Sequence, residues 1–141
     1  MGIYVNPRNG AFKEAINSQI YVDKSGLIAY TNAVLNTKQK NICVSRPRRF
    51  GKSMAADMLV AYYSRGCDSS GLFAGLEIEK KKSFKEHLNQ HDVIRLDIQR
   101  FLFDESHLAV FIDKIQEAVI RELKADYGEC FDVDQYGLPG V

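Results

Sequence analysis

The chain has 141 residues, of which 45% are hydrophobic and 26% charged, a composition that excludes intrinsic disorder and collagen-like repeats. Its formal net charge is +1, so no overall field draws nucleic acid or an anionic membrane to it, and nucleic acid is not indicated as a partner. The three cysteines are widely spaced without a CxxC pair, and no apolar run is long enough to cross a membrane. These features predict one cytoplasmic domain in which any anion site is local.

The first half of the chain predicts two helices with a strand between them. Apolar residues within 27–35 predict a weak helix, with Asp23 as its N-cap. The short apolar run at 41–45 predicts a strand buried on both faces, with Cys43 inside it as a small buried hydrophobe. Residues 52–65 carry apolar side chains at helical spacing, and Gly66 follows as a residue that ends helices. This helix is the most regular pattern in the chain.

The second half of the chain predicts another strand followed by a helix. Residues 72–78 combine apolar side chains with glycines, which predicts packing without a long element. Residues 93–98 predict a second strand, and apolar residues at helical spacing within 108–123 predict an amphipathic helix that Gly128 ends.

Two strands, each followed by a helix, indicate an α/β fold in which helices flank a parallel sheet. Two strands are too few for a parallel sheet covered on both faces. We therefore expect residues 1–141 to form the N-terminal part of a larger domain, with a strand, a loop and a helix over about 41–65.

The segment that carries chemistry lies between the first predicted strand and the most regular helix. It reads Ser-Arg-Pro-Arg-Arg-Phe-Gly-Lys-Ser over residues 45–53, and its last three residues match the second half of the phosphate-binding pattern GxxxxGK[ST]. Arg46 stands where that pattern has its first glycine. Backbone N–H groups of such a loop and of the first helical turn converge on one point, where the helix dipole adds positive charge. The alternative is a basic surface turn capped by Ser53.

Within this loop the residue types suggest separate roles in binding a nucleotide. Gly51 permits close approach of the backbone, Lys52 reaches the β- and γ-phosphates, and the Ser53 hydroxyl is a ligand for Mg²⁺. Arg48 and Arg49 add forked donors suited to phosphate oxygens. Phe50 belongs to the same candidate binding segment.

Four short motifs, called boxes here, occur in the same order as in the AAA-ATPase-like family, which the chain therefore resembles. Members of that family typically read (F/Y)VDKT, RPRRFGK(T/S), LFxGLxI and PVIxLD. The matching segments here lie at residues 21–25, 46–53, 72–78 and 93–97. The family's own loop carries arginine at the position of Arg46, which accounts for the missing glycine. Asp92 departs from the proline that the family often has there.

The resemblance implies a P-loop NTPase-like α/β fold and an ATPase module that uses ATP and Mg²⁺ as cofactors. It places this module at the start of a longer protein, often followed by a domain similar to PD-(D/E)xK nucleases. It also implies a Walker B strand, an aliphatic strand ending in acidic residues, which we expect beyond Val141. Hydrolysis is then expected only when that part is supplied. A second hypothesis is an inactive remnant or interaction module that retains the loop and associates with itself or a partner through exposed apolar helix faces.

Three further interpretations remain open. Asp97 ends a segment that mimics a Walker B strand, so it is a weak candidate for a catalytic acid or a Mg²⁺ ligand; the alternative is an edge strand away from the loop. By analogy with related ATPases, Tyr21 and Val22 flank the adenine base, or they pack ahead of the helix. His87 and His91 have the spacing of zinc ligands, but surface histidines are the favoured interpretation because no third ligand is in view.

Overall fold

The computed structural model describes residues 2–99 and 108–128, and this part of the chain is mostly helical. Five α-helices, which we number in chain order, and two short 3₁₀ helices make up its regular structure. The α-helices are α1 (Gly10–Ile16), α2 (Gly26–Val34), α3 (Lys52–Tyr63), α4 (Phe84–His87) and α5 (Leu108–Tyr127), and the 3₁₀ helices span Ser70–Phe73 and Glu77–Lys80.

The predicted parallel sheet is wrong. Residues 41–45 form no regular secondary structure and pair with no strand in the described part of the chain, and residues 93–98 contribute only one isolated antiparallel bridge, between Ile94 and Val5. A buried strand needs neighbours that satisfy its backbone and cover both its faces. Ile42 and Val44 are instead 40% and 50% exposed, and Cys43 is exposed where a buried residue was expected. The apolar run at 41–45 is therefore not a buried strand.

Two of the predicted helices are confirmed, with adjusted ends. Helix α3 begins at Lys52 as predicted but ends at Tyr63, because Ser64 turns to an extended conformation with ψ of 126°. Gly66 does not end it; a side chain there would collide with the backbone oxygen of Asn6. Helix α5 is followed by Gly128 in the left-handed conformation, with φ of 61°.

The helix after residues 21–25 is also confirmed, but its predicted cap is wrong. Helix α2 begins at Gly26 with Ser25 as N-cap. The Asp23 carboxylate instead accepts hydrogen bonds from the backbone N–H groups of Ser25 and Glu77, each at 2.8 Å. Asp23 thus joins the start of α2 to the second 3₁₀ helix. Burial acts to raise the pKa of its carboxyl, but these backbone donors, the Ser25 side chain and the charge of Lys80 together lower it.

The core is aromatic and lies where α1, α2 and α3 meet the segment 70–84. Phe73 is fully buried, stacks on Phe12 at a centroid distance of 5.2 Å and meets Tyr62 edge-on at 5.6 Å. Ile28 of α2 and Met58 of α3 complete the contact between these helices. The box at 72–78 was predicted to pack without forming a long element, and this is confirmed.

Polar groups within the core have partners. The buried Asn32 amide donates to the Tyr62 hydroxyl at 2.9 Å, and the Tyr63 hydroxyl donates to Asn32 Oδ1 at 2.6 Å. The Tyr62 hydroxyl in turn donates to the carbonyl of Phe84 at 2.8 Å. Burial raises the pKa of Tyr63 to about 12, so this hydroxyl keeps its proton. The network fixes α3 against α2, and with it the position of the N-terminus of α3.

Candidate functional site

The 45–53 loop enters α3 through a tight turn with two left-handed residues. Arg49 has φ of 66°, and Gly51, the N-cap of α3, has φ of 77° and ψ of 25°. Side chains disfavour this conformation by roughly 1–2 kcal/mol, so a glycine at the second position removes part of the cost of the turn. A side-chain carbon at position 51 would also lie only 2.9 Å from the ammonium nitrogen of Lys24.

The start of α3 presents backbone donors to the loop. No side chain of the described residues caps this helix, and its first backbone bond runs from Ala55 N–H to the Gly51 carbonyl at 2.9 Å. The N–H groups of the first helical turn have no intrahelical acceptor in an α-helix. Together with the helix dipole they favour an anion at this position.

The Lys52 side chain folds back over the loop. Its ammonium donates to the carbonyl of Pro47 at 2.9 Å and also to the carbonyl of Arg46. These two bonds tie the beginning of the loop to its end. The ammonium group therefore lies against the backbone at the beginning of the loop.

A second lysine reaches the loop from the start of α2. The Lys24 ammonium donates to the carbonyl of Phe50 at 3.0 Å. Lys24 belongs to the box at 21–25, which the sequence interpretation linked to the base through Tyr21 and Val22. The side chain of that box that contacts the loop is Lys24.

Two clefts open on either side of Gly51 and Lys52, which line both. The smaller, of about 320 Å³, has apolar walls and three cations. Its other lining residues are Lys24, Leu27, Val44, Arg46, Phe50 and Ala55. The larger, of about 600 Å³, is polar, and its other lining residues are Arg48, Arg49, Ser53, Met54 and Gln99. Neither cleft has a carboxylate among its described lining residues, so both suit an anion.

The six loop residues predicted from the sequence, Arg48 to Ser53, therefore line one or both clefts. Tyr21 does not line them; it packs against the core, with its ring edge-on to Phe12 at a centroid distance of 6.2 Å. Burial, followed by the charge of Asp23, raises the pKa of its hydroxyl. Val22 is 63% exposed and likewise lies outside the described lining of both clefts.

The 93–99 segment runs beside α3, close to the larger cleft. Arg95 forms an ion pair with Asp57 of α3 at 2.6 Å. The carboxylate of Asp97 accepts a hydrogen bond from the backbone of Gln99 at 3.1 Å, and Gln99 lines the cleft with Ser53. Burial raises the pKa of Asp57, Arg95 opposes that rise and the charge of Asp97 adds to it. Asp97 is thus near α3, one helical turn beyond Ser53.

Sequence reasoning missed Lys24, Gln99 and the pair formed by Asp57 and Arg95. A signal for Lys24 was present, since a cation adjoins the predicted base-binding residues in the same box. For Gln99 and for the ion pair no local pattern existed, because their positions depend on how the 93–99 segment packs against α3.

The two histidines with zinc-ligand spacing contact each other. His87 Nδ1 and His91 Nε2 are 3.0 Å apart, and the His91 ring also meets Tyr63 edge-on at a centroid distance of 5.4 Å. Burial and then the neighbouring His87 lower the pKa of His91. Within residues 2–99 and 108–128 no cluster of three or more metal-ligating side chains occurs.

Comparison with known proteins gives one result for this chain. No curated protein and no solved structure matches it. No helix among the described residues has the length and apolar character required to cross a membrane. Residues 10–136, nearly the whole chain, match the family described as "Predicted AAA-ATPase", a description that indicates nucleotide use in general. With this match the resemblance carried by the four sequence boxes is confirmed, and the chain belongs to the AAA-ATPase-like family.

Proposed function

We propose that this chain binds ATP together with Mg²⁺ through the 45–53 loop, which serves as its P-loop. The observation that supports this most strongly is the left-handed Gly51 at the uncapped start of α3, with two lysine ammonium groups beside it. Family membership supports nucleotide use independently of that geometry.

The proposed assignments follow the two clefts. Backbone N–H groups from Gly51 onward, with Lys52, bind the terminal phosphates, and Arg48 and Arg49 support them from the larger cleft. The Ser53 hydroxyl lines that cleft and is the proposed Mg²⁺ ligand. Asp97 is proposed as a second Mg²⁺ ligand, because its carboxylate accepts a hydrogen bond from the backbone of Gln99, which lines the same cleft.

The test is a calorimetric titration of the unmodified chain and of Lys52→Ala with ATP and Mg²⁺. We expect saturable binding that Lys52→Ala abolishes, because the variant removes the ammonium proposed to bind the terminal phosphates. The control is Lys82→Ala, which removes the same charge from an exposed position in the turn before α4 and should leave binding unchanged.

Absence of ATP binding by the unmodified chain would contradict the proposal. That result would favour the second hypothesis, an interaction module that retains the loop without the chemistry. Exposed apolar residues in the 93–98 segment and on α5 support that second candidate, among them Ile94, Leu96, Ile98, Val110 and Ile112.

A further inference from the structure

We propose that the ion pair between Arg95 and Asp57 holds the Asp97 carboxylate in place for Mg²⁺, so that Arg95 and Asp57 are positioning residues of the nucleotide site. This inference rests on the proposed function, in which Ser53 and Asp97 are the Mg²⁺ ligands, and it deepens it. Neither Arg95 nor Asp57 is among the described residues that line the larger cleft, so both act through Asp97.

The stretch that carries Asp97 runs back along α3 toward the start of that helix. Three pairs of residues mark its course, from the end of α3 to its beginning. They are Ser64 with His91 in a parallel bridge, Asp57 with Arg95 in the ion pair, and Ser53 with Gln99 in the lining of the larger cleft. Asp97 therefore lies between the residue tied to the middle of α3 and the residue at the cleft.

The side chains of this stretch alternate in exposure. The apolar side chains at positions 94, 96 and 98 are exposed, whereas Arg95 and Asp97 are partly buried. In such an alternation, residues two apart share a side of the chain. Because Arg95 contacts Asp57 of α3, we infer that Asp97 faces the same helix.

Arg95 is held by its backbone and by its side chain. Its backbone N–H donates to the carbonyl of Tyr4 at 2.8 Å, and its guanidinium lies 2.6 Å from the Asp57 carboxylate. The two side chains of the pair are only 33% and 19% exposed, so solvent screens their attraction less than that of a surface pair. The ion pair therefore fixes the chain two residues before Asp97.

The charges around Asp57 indicate that Asp97 is close. Burial is the main cause that raises the pKa of Asp57, Arg95 lowers it, and the charge of Asp97 raises it further. Two carboxylates near each other repel, and the guanidinium offsets that repulsion. Asp57 also lies four residues after Ser53, on the same face of α3. A chain held at Asp57 is thus held one helical turn from the proposed Mg²⁺ ligand Ser53.

The experiment measures ATP binding to the full chain by calorimetry, at saturating Mg²⁺ and in EDTA. The ratio of the two affinities, the Mg²⁺ enhancement, reports the metal site separately from the phosphate loop. The test variant, Asp57→Asn/Arg95→Gln, removes the ion pair without changing the net charge. Its matched control, Arg65→Gln/Asp92→Asn, likewise removes an ion pair, at 3.1 Å, from the exposed end of the same stretch.

We expect the test variant to lower the Mg²⁺ enhancement by about tenfold, the scale on which residues behind a metal ligand act, and to leave the affinity in EDTA unchanged. The control should change neither value. The charge swap Asp57→Arg/Arg95→Asp re-forms the pair and should restore most of the enhancement. Circular dichroism of each variant checks that the helices are intact.

An unchanged Mg²⁺ enhancement in the test variant overturns the inference. Equal losses of affinity in Mg²⁺ and in EDTA also overturn it, because the pair would then act on the loop or the fold as a whole. A loss of the same size in the control, or a charge swap that restores nothing, has the same meaning.

The variant Asp97→Asn separates this inference from the proposed function. If it lowers the enhancement and the test variant does not, only the positioning role of the ion pair is overturned. If it keeps the full enhancement, Asp97 is not a Mg²⁺ ligand, and this inference fails while ATP binding stands. If the unmodified chain does not bind ATP, the proposed function and this inference fail together.

Discussion

The Lys24 side chain holds the 45–53 loop from outside it, through one hydrogen bond. Its ammonium donates to the Phe50 carbonyl, immediately before the left-handed Gly51. That bond fixes the peptide group whose orientation determines where the following N–H groups point. Lys24 is therefore a positioning residue for the loop as well as a cation of the smaller cleft.

We predict that Lys24→Ala weakens binding of both ATP and tripolyphosphate by about five- to tenfold, because a charge-assisted hydrogen bond to the loop is lost. Lys24→Arg retains a cationic donor and should restore part of the affinity for both ligands. Calorimetric titration of the two variants measures this. Equal affinities for Lys24→Ala and the unmodified chain would show that the loop keeps its shape without the bond.

Among the elements, α5 is joined to the start of the chain by the Glu122 carboxylate and by the Tyr127 hydroxyl, which accepts a hydrogen bond from the Asn6 amide at 3.0 Å. Glu122 accepts hydrogen bonds from the backbone N–H groups of Ile3, Tyr4 and Val5, at 3.0, 2.8 and 2.8 Å. A side chain at Gly2 would collide with this carboxylate. Burial acts to raise the pKa of Glu122, but the three backbone donors together outweigh it and the pKa is lowered.

The lowered pKa fixes the sign of a pH effect on stability. The folded state binds fewer protons than the unfolded state, so the contribution of Glu122 is fully present above the ordinary glutamate pKa. It is lost as the pH falls through the lowered folded-state value. We predict that Glu122→Gln reduces the free energy of unfolding by about 1 kcal/mol at neutral pH, and by less in acid.

Urea unfolding of the unmodified chain and of Glu122→Gln over a series of pH values measures this difference. Glu117→Gln is the control, because it makes the same change at an exposed position of the same helix. A difference that stays constant with pH would show that the carboxylate charge plays no part.

For the molecule as a whole, stability depends on the aromatic core, and Phe50 of the proposed binding loop lies outside that core. Phe73 is fully buried and contacts the rings of Phe12, Tyr62 and Phe84. We predict that Phe73→Ala lowers the free energy of unfolding by about 3–5 kcal/mol, the usual cost of removing a buried ring.

The matched comparison is Phe50→Ala, which removes the same side chain from the exposed wall of the smaller cleft. Its thermal unfolding midpoint should stay close to that of the unmodified chain, whereas Phe73→Ala should lower it strongly. Similar shifts for the two variants would contradict the separation of core and site.

The helical part of this fold could be predicted from the sequence because helical spacing is a local property. Residues 52–63 and 108–127 show it directly, and both helices form. The sheet could not be predicted reliably, since a short apolar run does not reveal whether another strand pairs with it. Residues 41–45 and 93–98 have the composition of strands, but in the described structure only one bridge, at Ile94, forms between either segment and the rest of the chain.

In the candidate site, too, the residues adjacent in sequence could be predicted and those brought in by packing could not. Gly51, Lys52 and Ser53 could be placed at the start of a helix because the loop and the helix adjoin in sequence. Lys24 and Gln99 reach the site from segments distant in sequence, and only the packing of α2 and of residues 93–99 against α3 brings them there.

The Lys52 ammonium has one further consequence through its bonds to the Arg46 and Pro47 carbonyls. These two bonds hold the beginning of the loop against its end. An incoming polyanion that recruits this ammonium must compete with two acceptors already in place. Under the proposed function, the two hydrogen bonds that hold the loop together therefore also limit its affinity for a polyanion.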